Sequence, residues 1–554
     1  MSGLVNALDV NNSFDKRRLG ENLHCEYDWS TNNEDKIIQL YFQLVRTNLE
    51  SEQNSLSDLF VETFIKSNKE EKILLLKVLL NTRDIINGKG EKAITYSILH
   101  KLSFIEPNIT KLIIKSFVYL DNDEHSIGSW ADIKYMWSQY EWSVDFVSFF
   151  TKLINDQVKK DILHIDENIS LVSKWVPRQT NKHKNIFKIL AKDYFSEYFE
   201  SSGDYFQQER KAYTNYRKII TKLSRKIDVT QIKQCANQYD QIDYNKVTSV
   251  TMSKQKNAFS NKRGILKENR IKGASNFENF VANKFENNKQ INGSRVSLYS
   301  FIKEAIMYNS YGTNCENIKI LNSQWKDSEK TIGNLGNFIA MVDTSGSMQE
   351  NNNIPLYNAI GLGLRVAEKS LLGKRIMAFN SEASWINLEN ENNLTSMVKK
   401  IQNEPWGMNT NFMNALDNIL DSIINQRLKP NDIKNLTLCV FSDMQIDYAD
   451  KNSLSNSFWE TIKKKYNDAG IYYFGIPYDP PNILFWNMRM TKGFPVMVKQ
   501  NNVSMLSGFS PVLLNIFCNK GYNELKNMNS YNLLIKILTK EKRYNFVNNI
   551  FNET

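Results

Sequence analysis

At Asn337 the chain changes its hydrophobic period, and that change decides what its two halves can become. Before it, from about residue 35 to 235, apolar side chains recur at i, i+3, i+4 and i+7. DKIIQLYFQLVRTNL (35–49) and EEKILLLKVLLNTRDII (70–86) show the pattern, which is that of one helical face. Short polar breaks at NGKGE (87–91), EPN (106–108), DNDEHSIGS (121–129) and SSGD (201–204) suit turns between helical hairpins stacked as in a solenoid. Residues 240–330 are looser, either a long ordered connection or a mobile basic segment. From Asn337 onward strands alternate with helices. The expected strands are 337–342, 374–379, 435–442, 471–477 and 494–499, with helices over 355–370, 411–424 and 458–470. Continuous apolar strands separated by helices argue for a parallel sheet covered on both faces. Ligands of such sheets collect beyond the C-terminal ends of the strands.

Two polar loops fall at those ends. FIAMVDTSGSMQ (338–349) runs from a buried strand into Asp343, Ser345 and Ser347, with Gly346 permitting a tight bend. SDMQ (442–445) follows another strand and offers Asp443, and WGMNTNF (406–412) offers Thr410. Two carboxylates and three hydroxyls make an all-oxygen donor set, which suits a hard divalent cation such as Mg²⁺. The plainer alternative is that Asp343 and its serines cap the helix beginning near Pro355. Capping does not require a Thr and an Asp on two further strand ends.

Other chemistries lack their parts. A serine nucleophile would need a base, yet no histidine lies beyond His183 and no Gly-x-Ser-x-Gly elbow occurs. The five histidines (His24, His100, His125, His164, His183) are dispersed, without His-Glu-x-x-His spacing. GKGE and GLGLR match neither a P-loop nor a dinucleotide fingerprint, and are expected to be turn and helix-packing glycines. No catalytic residue is therefore assigned. The five cysteines are scattered, as for reduced, mostly buried thiols in an intracellular compartment. No apolar run approaches the ~18 residues of a membrane span.

The Asp-x-Ser-x-Ser loop, with Thr410 and Asp443, resembles the metal-ion-dependent adhesion site of a von Willebrand factor A domain. The resemblance implies Ser345 and Ser347 as direct ligands and Thr410 as a conditional one. It implies Asp343 and Asp443 as direct or water-mediated ligands, with a coordination position left for a partner's carboxylate. NTRDIINGKGEK (81–92), GSWADIKYM (128–136), SLVSKWVPRQ (170–179) and the long stretch 216–250 extend the likeness. So do SDMQIDYAD (442–450), PPNILFWNMRM (480–490) and SMLSGFSPVLLNIF (504–517). Together they resemble an uncharacterised family of eukaryotes and large DNA viruses that joins a helical domain to a von Willebrand A domain. That family is related in architecture to the TROVE-domain proteins, including the Ro autoantigen, in which helical repeats bind small non-coding RNA. One departure is KVTSV (246–250), where relatives carry a Val-Pro-Ser-like stretch.

Charge adds a regional signal. Residues 205–300 hold 19 Lys or Arg against 7 Asp or Glu, so this segment more than accounts for the chain's net charge of +10. Arg210, Lys211, Arg217, Lys218, Lys222, Arg225 and Lys226 fall on one expected helix, interleaved with Tyr213 and Tyr216, and Lys262 and Arg263 follow downstream. Such cations neutralise phosphates and exposed aromatics stack on bases, although charge runs are more often plain solvated faces.

The expected organisation is an N-terminal extension (1–34), a HEAT-like or TROVE-like helical repeat domain (35–330) including the basic segment, an α/β doubly wound von Willebrand A-like domain with a mainly parallel sheet (331–522), and a C-terminal helical tail (523–554). The expected function is a non-enzymatic, intracellular and cytoplasmic ribonucleoprotein scaffold, or a virion component if the source is viral. It would bind small non-coding or single-stranded RNA, and a protein partner through Mg²⁺, without a membrane. The alternative is a protein-interaction or structural component that uses the metal site without RNA.

Overall fold

The computed structural model describes residues 17–19, 25–120, 124–180, 182–200, 203–313, 315–404, 406–407, 411–433, 436–445, 458–518 and 529–551. They form two compact units, one of residues 96–289 and the other of residues 1–95 with 290–554.

The second unit is built on a sheet. Strands β1 (Arg17–Leu19) and β2 (Cys25–Tyr27) make a short antiparallel hairpin. The main sheet contains β3 (Phe338–Asp343), β4 (Arg375–Phe379), β5 (Ala383–Asn387), β6 (Thr437–Ser442), β7 (Asn482–Asn487) and β8 (Val503–Ser507). Its order is β5-β4-β3-β6-β7-β8, and every pairing is parallel except β4 with β5. This is a mixed, mainly parallel sheet whose order reverses at β3; in open sheets of this kind ligands collect where the order reverses, here at the C-terminal ends of β3 and β6. All six residues of β3, β6 and β7 are buried. Each large apolar side chain so buried contributes about 1.5–3 kcal/mol.

The helix Glu350–Lys369 packs on β3 and β6. It comes close because Gly363 has no side chain: a Cβ there would sit 2.5 Å from Cγ2 of Val342. Gly361 gives the same clearance over Leu298, so both glycines of GLGLR serve helix packing. The first residues of this helix are irregular, with Asn351, Asn352 and Asn353 at φ 52, 61 and 59°. Asparagine tolerates that left-handed conformation better than other non-glycine residues. Regular helix therefore begins at the Ile354–Pro355 step, where the sequence places it.

Three sequence expectations need correction. IYYFGIP (471–477) is not a strand: the helix Phe458–Phe474 runs through most of it, and Tyr472 is 80% exposed. FPVMVK (494–499) forms no strand, only an isolated bridge between Phe494 and Tyr27. The sheet positions belong to NILFWN and VSMLS, and β5 went unread. Short apolar runs do not distinguish strand from helix by period. Of the two readings left open for 240–330, the described residues there fit the ordered one, with helices Ser249–Phe259, Glu268–Glu286, Leu298–Tyr311 and Cys315–Ser328. Of the cysteines whose side chains are described, Cys235, Cys315, Cys439 and Cys518, all are free; Cys439 is fully buried, while Cys235 and Cys315 are exposed.

The compact units divide the chain differently from the expected boundary at 330. The helices Asn33–Gln43, Glu50–Lys66 and Lys69–Arg83 belong with the sheet. Their anchor is Lys89, fully buried, whose ammonium donates to the Tyr41 carbonyl, to the Leu44 carbonyl at 3.0 Å and to Ser507 Oγ at 2.6 Å. It also lies 3.7 Å from the Tyr41 ring centroid. Burial pushes this ammonium's pKa down, against the raising effect of the nearby Glu91 carboxylate. Helices Leu298–Tyr311 and Cys315–Ser328 also join this unit, and buried Arg365 donates to the Trp325 carbonyl at 2.7 Å and to Ser328 Oγ at 2.5 Å. The C-terminal segment carries the helix Ser530–Lys540 and the 3₁₀ helix Lys542–Asn549. It is tied in by Arg543 and Tyr544, which donate to Asp84 Oδ2 at 2.5 and 2.6 Å.

The other unit is helical throughout its regular structure. Its longest helices, Val144–Leu163 and Tyr205–Lys226, pack on each other and on Lys184–Tyr194. No helix among the described residues is long and apolar enough to cross a membrane.

Candidate metal centre

The parallel register of β3 and β6 sets the site. Val342 pairs with Phe441, so the next residues of both strands leave the sheet at the same edge. Asp343 is the last residue of β3 and Asp443 follows the last residue of β6; both are fully buried. On the other side Asp343 pairs with Phe379 of β4. The Thr344 N–H donates to the Phe379 carbonyl at 3.0 Å, and Asn380 Nδ2 donates to Thr344 Oγ1 at 3.1 Å. These bonds hold the loop over β4.

Each oxygen of Asp343 is engaged. The Ser345 N–H donates to Oδ1 at 2.9 Å, and the Ser442 hydroxyl donates to Oδ2 at 2.5 Å. Ser345 Oγ and Ser347 Oγ are 3.2 Å apart, with Ser345 buried and Ser347 half-buried. The Met444 N–H donates to Ser442 Oγ at 3.0 Å, and Met444 takes φ 62° as the chain turns beyond Asp443. Gln445 N–H reaches Asp443 Oδ1 at 3.3 Å. Burial, and then repulsion from Asp443, push the Asp343 pKa up, against the lowering effect of its bonds from Ser345 and Ser442. Two buried carboxylates that repel each other are relieved by a cation between them.

The structure brings together Asp343, Ser345, Ser347 and Asp443. Thr410 lies outside the described residues. The donor set is oxygen only, with no group of three or more His, Cys, Asp or Glu that could hold a metal among the described residues. That chemistry fits Mg²⁺, which accepts one or two carboxylates and completes its shell from hydroxyls, water and ligand oxygens.

Two further residues at this edge are not singled out by the sequence. Ser442 bridges to Asp343 across a separation of 99 residues. Arg489, two residues beyond β7, places Nε 3.2 Å from Asp443 Oδ2 and Nη1 2.8 Å from Glu350 Oε2. Their common signal is a polar residue at or just past a strand end. For Arg489 that signal is hidden, because the short apolar run NILFWN does not by its period distinguish strand from helix.

In the helical unit, Arg210, Lys211, Arg217, Lys218, Lys222, Arg225 and Lys226 all lie on Tyr205–Lys226 and are all exposed. At 100° per residue, Lys211, Lys218, Lys222 and Arg225 share one face. Lys211 stands 4.5 Å from the Tyr198 ring centroid. Tyr213 and Tyr216 are buried, and the Tyr216 hydroxyl donates to Asn155 Oδ1 at 2.9 Å. They are core residues and offer no stacking face. Lys262 and Arg263 are exposed on the turn after Ser249–Phe259, a different element. Downstream, Lys256 and Arg270 are buried, with Arg270 packed 3.6 Å over the Tyr239 ring and donating to the Ala258 carbonyl.

Comparison with known proteins gives matches along most of the chain. Residues 145–338 match a domain of unknown function (DUF2828), and residues 337–548 match another (DUF7788). The crystal structure of the RO (RSR) protein of Deinococcus radiodurans is similar with a TM-score of 0.32 and 11% identity, across 88% of this chain and 99% of that one. A likeness that weak carries no argument about this chain. Uncharacterized protein L728 of Acanthamoeba polyphaga mimivirus is 30% identical over 487 residues, covering 83% of this chain and 79% of that protein. With that identity sustained over that length, the chain belongs to the same family as mimivirus L728.

Proposed function

We propose that this protein is a non-enzymatic binding scaffold whose α/β unit grips an acidic partner group through a divalent cation, Mg²⁺ by its chemistry. Asp343, Ser345, Ser347 and Asp443 would hold the ion, with Thr410 as the conditional further ligand. The observation that carries the proposal is the convergence of two mutually repelling buried carboxylates and a pair of hydroxyls at the switch point of the sheet. A bound cation would supply a Lewis-acidic position for a partner's carboxylate. The resemblance of this loop to the metal-ion-dependent adhesion site of von Willebrand A domains points the same way. A hydrolytic role lacks support: the two serine hydroxyls face each other, and no histidine follows His183 to serve as a base.

In the same proposal the helical unit binds RNA along Tyr205–Lys226. Seven exposed cations on one helix form a surface that neutralises phosphates. With Tyr213 and Tyr216 buried, this face would read backbone charge rather than bases.

The test is purification of the full chain with and without chelator, followed by sequencing of co-purifying nucleic acid and identification of co-purifying protein. Recovery of RNA in both conditions, with a protein partner lost in chelator and in Asp343→Ala, is expected. Loss of the protein partner with no nucleic acid in either sample would favour a protein-only scaffold. A partner retained by Asp343→Ala would overturn the metal-dependent grip.

A further inference from the structure

We propose that Arg489 sets the cation affinity of the Asp343–Asp443 site by competing for Asp443, with Glu350 as the alternative seat for its guanidinium. The inference rests on the metal-site proposal above and adds a residue that the adhesion-site pattern does not contain.

The backbone of Arg489 is pinned. Its N–H donates to Asn487 Oδ1 at 3.1 Å, and Asn487, fully buried, donates in turn to the Phe42 carbonyl at 3.2 Å. Only the side chain is left to move. The guanidinium lies between two carboxylates of unlike setting: the Asp443 side chain is 0% exposed, and that of Glu350 is 55% exposed. Nε is 3.2 Å from Asp443 Oδ2, and Nη1 is 2.8 Å from Glu350 Oε2. Moving outward would keep the Glu350 pair and release Asp443.

A cation held by Asp443 and a guanidinium held by the same carboxylate repel each other. At separations of a few ångströms, and with the Arg489 side chain only 16% exposed, that repulsion exceeds its value in bulk water. The site therefore binds its ion against a resident positive charge, and Glu350 lowers the cost by drawing that charge away. Glu350 is also linked to the hydroxyl loop. It directly follows the 3₁₀ turn Gly346–Gln349, which contains Ser347, and precedes the three left-handed asparagines. The two substitutions consequently act in opposite directions, which a merely structural role for this ion pair does not produce.

The experiment is calorimetric titration of Mn²⁺ alone into the full chain, with circular dichroism to verify folding. Arg489→Met, which keeps the length and removes the charge, should bind Mn²⁺ about tenfold more tightly or better. Arg489→Lys should stay within about threefold of the wild type, because the charge is retained. Glu350→Gln should bind several-fold more weakly. If the wild type binds Mn²⁺, Asp343→Ala does not, and Arg489→Met is unchanged or weaker, the role of Arg489 is refuted while the metal site stands. If neither the wild type nor Arg489→Met takes up Mn²⁺, the metal site itself fails and the inference falls with it.

Discussion

Replacing Asp343 by Asn should stabilise the protein in chelator and remove its response to Mg²⁺, a pair of effects that follows from burial of this carboxyl. Asp343 is fully buried, and desolvation and then repulsion from Asp443 raise its pKa from 3.8 to about 7. A raised carboxyl pKa means that the folded state holds the proton more tightly than the unfolded chain. The associated stability is present in full below 3.8 and is lost as pH rises through about 7. At pH 7.5 the folded protein thus carries an ionisation cost on the order of 2–4 kcal/mol. Asparagine removes the charge while its carbonyl can still accept from the Ser345 N–H. Its amide meets the Ser442 hydroxyl, which must turn to accept, at a cost of about 1 kcal/mol. The net expectation is a gain of about 1–3 kcal/mol in chelator, a rise of a few degrees in Tm. Addition of Mg²⁺ at a hundredfold excess over its Kd should stabilise the wild type by about 2.7 kcal/mol and leave Asp343→Asn nearly unmoved. Thermal unfolding at pH 7.5, in EDTA and in Mg²⁺, reads both effects. A lower Tm for the variant in EDTA would refute the burial reasoning; equal Mg²⁺ shifts in both proteins would refute Asp343 as a ligand.

Reversing Arg217, Lys218, Arg225 and Lys226 to Glu should abolish or strongly weaken RNA binding and flatten its salt dependence without changing the circular dichroism, since all four side chains are exposed; filter binding across a salt series checks it. Lys89→Met should cost about 2–4 kcal/mol in urea unfolding, because the Tyr41 and Leu44 carbonyls and Ser507 Oγ lose a shared buried donor. Gly363→Ala should cost about 1–3 kcal/mol by urea unfolding and weaken Mn²⁺ uptake, because its Cβ at 2.5 Å from Val342 Cγ2 pushes the helix off the strand that carries Asp343.

Much of the α/β half was legible because its signals are local. A buried run such as FIAMV, ending in Asp343 and two serines, shows both the strand and the loop at its end. The same logic placed Asp443 beyond TLCVFS and the helical run after Pro355. It failed where local signals were ambiguous. IYYFGIP is as apolar as NILFWN, but Tyr472 ended up exposed on a helix while all of NILFWN is buried in the sheet. The basic tract divided in a similar way. Periodicity identified the cationic helix, but only packing separated the exposed Lys218 and Lys222 from Arg270, whose charge lies over Tyr239.

The sequence by itself determined the change from helices to strand–helix alternation and the oxygen-only character of the Asp343 loop, because hydrophobic period and donor chemistry are properties of neighbouring residues. Tertiary structure alone decided that residues 33–95 belong with the sheet, through buried Lys89 and Asp84. It also decided that Ser442 closes on Asp343 and that Arg489 stands beside Asp443. Those contacts join positions up to several hundred residues apart, and a buried polar group finds its partners in space rather than along the chain.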